Sequence, residues 1–374
     1  MPFHFVHTAD WQIGRAFGTL PADRSALLRE ARLAVIERIA EAARQAGAGH
    51  VLVAGDVYED EVPSARTLRQ PIARLKAQGD LIWHLIPGNH DPHRPGGPWE
   101  HLLREGVPDN VRLHLAATAA EIAQGVWLLP APLFAKATSF DPSAWMDQAA
   151  TPAGAIRIGL AHGSVQGFGS AGEAAIPIDP GRPKRAGLAY LALGDWHGRQ
   201  QINERTWYSG TPEPDQFLDN DPGHVLAVRV DGPRARPAVA AVATATYRWS
   251  IQRHQVTGDG DVAALERALA GAGWPLERML VRLIASGDVS VTAAAAIGAG
   301  LDRVEASLCH LERDLSGLRV SAKPADLASL RDESGLLAAA QRLQSLADDP
   351  DSAQATDARD ALALLFAFAR GAAP

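Results

Sequence analysis

Carboxylate, carboxamide and imidazole side chains recur in this chain at the ends of short apolar runs. Five clusters between positions 10 and 197 carry them: Asp10-Trp11-Gln12, Gly55-Asp56, Gly88-Asn89-His90-Asp91, Ala161-His162-Gly163 and Gly194-Asp195-Trp196-His197. These residue types bind divalent cations and move protons. Most of the clusters end an apolar run: Phe3 to Val6, Val51 to Ala54, Leu81 to Ile86, Ile156 to Leu160 and Leu188 to Leu193. Such runs, bounded by Gly, Pro and polar residues, predict buried strands, and groups at strand ends gather along one sheet edge. The pattern predicts a site for two divalent metals. Asp10 and Asp56 offer hard anionic oxygens, with Asp56 placed to bridge two cations, and Asn89 adds a neutral oxygen. His162 and His197 supply imidazoles, and Asp195, two residues before His197, faces the same side of an extended segment. Two cations about 3.5–4 Å apart activate a water and clamp a phosphoryl group for in-line displacement. His90, next to Asn89, is then placed beside the metals, where it stabilises pentacoordinate phosphorus or protonates the leaving oxygen.

The elements that must position these groups follow from periodicity. Strand 3–8 leads to a helix over 22–45, where Leu27, Leu28, Ala31, Val35, Ile39 and Ala42 recur at helical spacing. Strand 50–54, a helix over 64–78 and strand 81–86 continue the alternation, which implies parallel pairing. The region from Arg112 to Val230 has shorter apolar runs with frequent Gly and Pro, consistent with a second, mixed sheet. A composition break near Asp231-Gly232-Pro233 precedes a smaller strand-helix-strand-helix-strand pattern over 247–256, 263–270, 279–285, 293–308 and 317–321. Helices over 325–346 and 355–370 close the chain. The expected division is a catalytic domain over 1–235, a small α+β capping domain over 236–322 and terminal helices over 323–374.

Composition narrows the class. The chain has 374 residues, 47% of them hydrophobic, enough for two or three domains with real cores. No apolar stretch approaches a membrane span, and the start lacks a charged-then-apolar signal pattern. A single cysteine, Cys309, excludes an internal disulfide and fits a reducing compartment, so a cytoplasmic protein is expected. The net charge of -7 excludes gripping nucleic acid by bulk charge alone.

The order and spacing of the five motifs resemble the calcineurin-like metallophosphoesterases. The opening His7-Thr8-Ala9-Asp10-Trp11, and Tyr208-Ser209-Gly210-Thr211-Pro212 after the last cluster, are most similar to the DNA-repair exonucleases of the SbcD type. The resemblance covers about the first three fifths of the chain. It implies an α/β fold, an αββα sandwich of two sheets with a small C-terminal α+β cap and terminal helices. It implies that Asp10, Gln12, Asp56 and His197 hold one metal, that Asp56, Asn89, His162 and Asp195 hold the other, and that His90, with Asp91 in the same motif, is catalytic. The reaction expected is hydroxide attack on the phosphorus of a DNA phosphodiester, with manganese (or magnesium) as the metal. An SbcC-type coiled-coil ATPase, docked by the terminal helices, and a second copy of the chain are the implied partners. Two positions depart from the family's pattern, which has His where this chain has Gln12 and Asp195. The exchange shifts the ligand set toward oxygen and so toward manganese or magnesium over zinc. A decayed scaffold is the rival reading, but every position still carries a competent ligand atom. A small-molecule phosphoesterase and a catalytically weak adaptor of the ATPase are the alternative functions.

Other residues carry weaker signals. Arg182, Lys184 and Arg185, between His162 and Asp195, are candidates to overhang the site and contact a DNA backbone, though a solvated loop explains them equally well. The Gly-rich stretch 163–172 suits a substrate loop or an ordinary surface loop. His84, His101, His114 and His224 lack ligand spacing and read as structural or exposed, while Trp11 and Trp196 read as walls around the ligands.

Overall fold

The structure, a computed structural model, describes residues 2–168, 175–256, 264, 267, 273–321, 334–349 and 354–369. The chain divides into two units, Met1–Tyr247 and Arg248–Pro374.

The first unit is built on two six-stranded sheets. In the first, strands β1 (Phe3–Thr8), β2 (His50–Val53), β3 (Ile82–Leu85) and β4 (Val111–Leu113) run parallel. On the other side of β1, β13 (His224–Val230) pairs antiparallel and carries β14 (Ala238–Ala243) outside it. The second sheet is ordered β11-β12-β10-β7-β6-β5. Its strands are β5 (Ala120–Ala123), β6 (Val126–Ala131), β7 (Ile156–His162), β10 (Tyr190–Gly194), β11 (Gln200–Gln201) and β12 (Thr206–Tyr208). Strands β6, β7, β10 and β12 are parallel, with β5 and β11 antiparallel at the edges. A two-strand ladder, β8 (Ser164–Val165) with β9 (Pro177–Ile178), follows β7.

Alternation along each strand assigns its side chains to layers. In β2, Val51 and Val53 pack outward against helix α1 (Ala22–Gln45), in the cluster that also holds Ile36, Ile39 and Trp83. Leu52 and Ala54 point the other way, meeting Leu128, Ile158, Leu160 and Ala192 of the second sheet. That sheet covers its far face with Met146, Ala186 and Leu188, packed on Leu129, Leu191 and Leu193. The expected α/β two-sheet sandwich is the fold observed. Helix α1 spans the predicted residues, α2 (Ala65–Ala77) is shorter than predicted by one residue at each end, and a short helix α3 (Pro98–Glu105) lies between β3 and β4.

Three expectations on organisation differ from the structure. The mixed second sheet does not hold everything from Arg112 to Val230, because β4 and β13 join the first sheet. The first unit extends past residue 235 to Tyr247, because β14 hydrogen-bonds to β13. The terminal helices do not form a region apart. The second unit holds β15 (Arg248–Val256), β16 (Met279–Ser290) and β17 (His310–Ser321), all parallel, with α5 (Val291–Glu305) between the last two. Leu362 and Phe366 of helix α7 (Ala355–Ala369) bury against Val291 of α5 and Ala340 of α6 (Ser334–Asp348). Of the helix expected over 263–270 only residues 264 and 267 are described, and residues 325–333 of that expected over 325–346 lie outside the described residues. Among the described residues no helix is long and apolar enough to cross a membrane.

Candidate metal centre

The parallel strands of both sheets end at one edge, and the five motifs are the turns that follow them. Asp10 leaves β1, Asp56 leaves β2, Asn89 and His90 follow β3, His162 ends β7, and Asp195 and His197 follow β10. Asp10, Asp56 and His162 bring a ligand atom each within 4.8 Å of one another, and all three are buried. His162 Nε2 lies 2.7 Å from Asn89 Oδ1, 3.5 Å from Asp56 Oδ2 and 3.9 Å from Asp195 Oδ1. Gln12 sets its amide nitrogen 3.1 Å from His197 Nε2. The structure thus brings Asp10, Gln12, Asp56, Asn89, His162, Asp195 and His197 into one cluster.

Close approach of these turns demands unusual backbone. Asp10, Gln12, Asp56 and Asp195 hold φ of 56°, 43°, 54° and 103°, four of the six positive-φ non-glycine residues described. Left-handed conformations cost of order 1–3 kcal/mol each and persist only where the surroundings enforce them. Here the enforcing contacts are visible. Asp10 N donates to Gly55 O at 3.2 Å, Gln12 N to Asp56 O at 2.9 Å, and Asp195 N to Asp10 Oδ1 at 3.0 Å. Glycine lets the turns meet: a Cβ on Gly88 would sit 2.1 Å from Asp56 Oδ1, and one on Gly194 2.1 Å from Ala54 O.

Each imidazole is held by one nitrogen so that the other is left for the cluster. His162 donates from Nδ1 to Ala54 O at 2.8 Å, and His197 from Nδ1 to Asp215 Oδ1 at 3.4 Å. The acceptor fixes the tautomer and turns the Nε2 lone pair inward, as it does for metal-bound histidines. Ser164 Oγ donates to Asp195 Oδ2.

The electrostatics favour a cation. Burial would lower the pKa of His162, but Asp56, Asp10 and Asp195 outweigh it and hold the group up at about 9. Burial raises Asp10 to about 6, against the pull of His197 and His162. Asp10 Oδ2 is buried with no hydrogen-bond partner among the described residues, a costly state for a carboxylate oxygen unless a cation completes it. A field that draws a proton to His162 also draws a divalent ion. The donor set therefore fits metal.

Asp215, Arg32, Arg15 and Ser164 complete the site and were not anticipated. Burial would raise Asp215, yet its hydrogen bond from His197 and the charge of Arg32 hold it well below the ordinary carboxylate range. Arg32, buried in α1, donates to the carbonyls of Trp11 (2.9 Å), Asp10 (3.3 Å) and Glu213 (2.8 Å), clamping the Asp10 turn to the segment that carries Asp215. Arg15 Nη1 donates to Gln12 Oε1 at 3.3 Å. A half-turn of that amide exchanges its oxygen and nitrogen and would present Oε1 to the cluster.

Two sequence expectations are corrected. Asp91, expected with His90 as catalytic, is fully buried beneath its loop. Its oxygens accept from Gly88 N at 2.7 Å and Tyr58 N at 3.0 Å, so it holds the loop and does not meet substrate. Arg182, Lys184 and Arg185 do not overhang the site. They form a short helix, α4 (Arg182–Arg185), that precedes β10 and so lies at the opposite end of that strand from Asp195. Arg182 is buried and bound to Asp141 and Asp147, and Arg185 to Asp147 and Asp179. His90 itself is half-buried at the cluster, with its amide 2.9 Å from Asp56 Oδ1. Trp11 is buried edge-on to Trp83, and Trp196 packs on Phe168, so both are walls. Of the Gly-rich stretch, residues 169–172 lie outside the described residues.

Residues 3–171 match the family described as calcineurin-like phosphoesterase. This segment is similar to the calcineurin-like metallophosphoesterases, whose description implies metal-dependent hydrolysis of phosphoesters. A curated relative, the uncharacterized metallophosphoesterase YhaO of Bacillus subtilis (strain 168), is 25% identical over 213 residues, which cover 53% of this chain and 50% of that protein. The chain thus spans about half the length of the curated relative it matches. Among solved structures, TT1561 of Thermus thermophilus aligns with a TM-score of 0.42 and 13% identity, over 65% of this chain and 100% of that one.

Proposed function

We propose that this chain is a metal-dependent phosphodiesterase acting on DNA. The observation that carries the hydrolase reading is the cluster of three carboxylates, two carboxamides and two anchored imidazoles around the unpartnered Asp10 Oδ2. Asp10, Gln12, Asp56 and His197 would hold one divalent cation, and Asp56, Asn89, His162 and Asp195 a second, with manganese favoured by the oxygen-rich set. Bound there, two such ions supply Lewis acidity toward a phosphoryl group and make a water nucleophilic at neutral pH.

The chain's own groups do the remaining work. His90 donates from Nδ1 to the Glu59 carbonyl at 3.0 Å, which fixes its ring. That leaves Nε2 facing the cluster, where the ring in its doubly protonated form gives a proton to the leaving oxygen and keeps its Nδ1 bond. Asp215 and Ala54 O hold the tautomers of His197 and His162 through each turnover. DNA as substrate is supported by the SbcD-like opening and Tyr208–Pro212 motifs and by aromatic surface near the cluster. The segment after β6 leaves the sheet at the same edge and exposes Phe134 (56%) and Phe140 (71%), with Phe134 5.8 Å from the His93 ring. Exposed aromatic rings are platforms for unpaired bases. On the same resemblance we propose an SbcC-type ATPase and a second copy of the chain as partners. Because the inner faces of α6 and α7 are buried within their own unit, docking would fall on outward residues such as Leu364, which is 48% exposed.

The test compares a short labelled DNA with a chromogenic phosphodiester, both with manganese. Cleavage of the DNA is expected. Turnover of the chromogenic ester alone would make this a small-molecule phosphodiesterase, and binding of the ATPase without turnover of either would make it an adaptor.

A further inference from the structure

The second sheet has a cleft at the end opposite the metal centre, and we propose that it binds a phosphorylated organic molecule of nucleotide size. The cleft has a volume of about 730 Å³ and is lined by the loops before β7 and β10 and between β11 and β12. That volume is within the range of roughly 300–1,000 Å³ usual for small-ligand sites. Four cationic side chains face it: Arg157, Lys184, Arg205 and Arg234. Among the described residues none of the four forms an ion pair. Arg205 donates to the carbonyls of Ala189, Arg234 and Ala235, and Arg157 to that of Met146. Lys184 and Arg234 are exposed, and no side-chain partner is found for either among the described residues.

The charge imbalance is local. Glu204, the single acidic residue lining the cleft, pairs with Arg236 at 3.5 Å, and Asp147, the carboxylate that acts on Arg157, is already shared by Arg182 and Arg185. Arg157 Nε is buried without a hydrogen-bond partner among the described residues. In a chain of net charge -7, most arginines of the first unit are matched to acids, including Arg15, Arg38, Arg69 and Arg199. Unmatched guanidinium and ammonium groups converging on one concavity are a phosphate-binding arrangement. The walls are apolar and stiff, with Pro152, Pro180, Pro183 and Pro233 among them, so the ligand has an uncharged body as well as its phosphates.

This cleft is separate from the metal centre. Arg157 and His162 lie five residues apart along β7, which puts roughly 17 Å between the two ends. Ligand binding in this cleft is therefore independent of hydrolysis at the metal edge.

Calorimetric titration of ADP into the full chain, with a chelator present so that no metal can hold the phosphates, tests it. One equivalent of ADP is expected to bind. The paired reversal Lys184→Glu and Arg234→Glu, both on exposed side chains, is expected to weaken it at least 10-fold while leaving turnover of a chromogenic phosphodiester unchanged. Inorganic pyrophosphate, which has no body for the proline walls, is expected to bind at least 10-fold more weakly than ADP. No ADP binding, or equal binding by the reversed variant, would overturn the proposal, and equal pyrophosphate affinity would remove its organic part. A DNA duplex that binds in place of ADP, and is lost on charge reversal, would replace the small ligand with a nucleic-acid surface.

Discussion

Two sets of histidines sit in the first unit and meet opposite environments. His162 and His197, at the metal edge, each donate from Nδ1 to an oxygen and lie among carboxylates that raise their pKa against the effect of burial. His7, His50, His84 and His114 lie on the inner side of the first sheet, where burial lowers all four. His50, His84 and His114 form a ladder across adjacent strands, each ring nitrogen 3.0 Å from the next and the rings stacked at 5.3 and 5.2 Å. His7 bonds Tyr190 Oη at 3.0 Å and Leu193 O at 3.1 Å, tying β1 to β10 just behind Asp10 and Asp195. The residue type is the same, and the neighbours decide the role. A buried imidazole among neutral partners is a neutral structural group, and one among unmatched carboxylates is a cation site.

The largest effect is expected from removing the carboxylate that the proposal shares between both metals. Asp56→Ala should lose both metal equivalents, measured by elemental analysis of the purified protein; retention of two would break the bridging assignment. His90→Asn comes next. It should keep both metals and lower turnover by roughly 10²-fold or more, and loss of a metal equivalent would make His90 a ligand.

These first tests concern residues that the sequence disclosed. Gly-Asn-His-Asp and the other turns are contiguous, so their chemistry can be read along the chain. The supporting groups are contiguous only in space. Asp215 is eighteen positions from His197, and Arg32 is one of five arginines in α1, so neither carries a local signal. The ladder needs the pairing register of β2, β3 and β4 before three scattered histidines become neighbours. The place of Arg182 to Arg185 is legible in the chain order: they precede β10 whereas the ligands follow it, and a segment before a strand lies at its other end. The extra strand β14 was obscured because its composition resembles the Ala-rich background beyond the break at Asp231.

A smaller effect sharpens the comparison at the metal edge. Asp215→Asn should weaken metal binding by roughly 10–100-fold through His197 orientation, as read by titration against a competing chelator. Unchanged affinity would mean that the tautomer of His197 is fixed by something else.

The smallest effect concerns the inner set. An unfolded histidine takes a proton near pH 6.5, whereas folded His7 does so near 3 and His114 near 4. Their contribution is full above pH 6.5 and is lost as pH falls toward those values. Between pH 7 and 5 each such group should remove roughly 2 kcal/mol of stability. Asp10, held up at about 6, works in the other direction, as do the raised Asp91, Glu213, His162 and His197, so the inner set is read by comparing variants. Denaturant unfolding of chelated protein at the two pH values isolates the effect by difference: His84→Leu should lose less stability between pH 7 and 5 than the wild type. Equal changes in the wild type and His84→Leu would mean that His84 titrates normally.

The central claim is that the strand-end turns of both sheets build one site for two divalent metals. Anomalous scattering from crystals grown with manganese tests it most directly. The account predicts two peaks at the cluster, one beside Asp10 and His197 and one beside Asn89 and His162, with Asp56 between them. A single peak, or two peaks away from these residues, would contradict it.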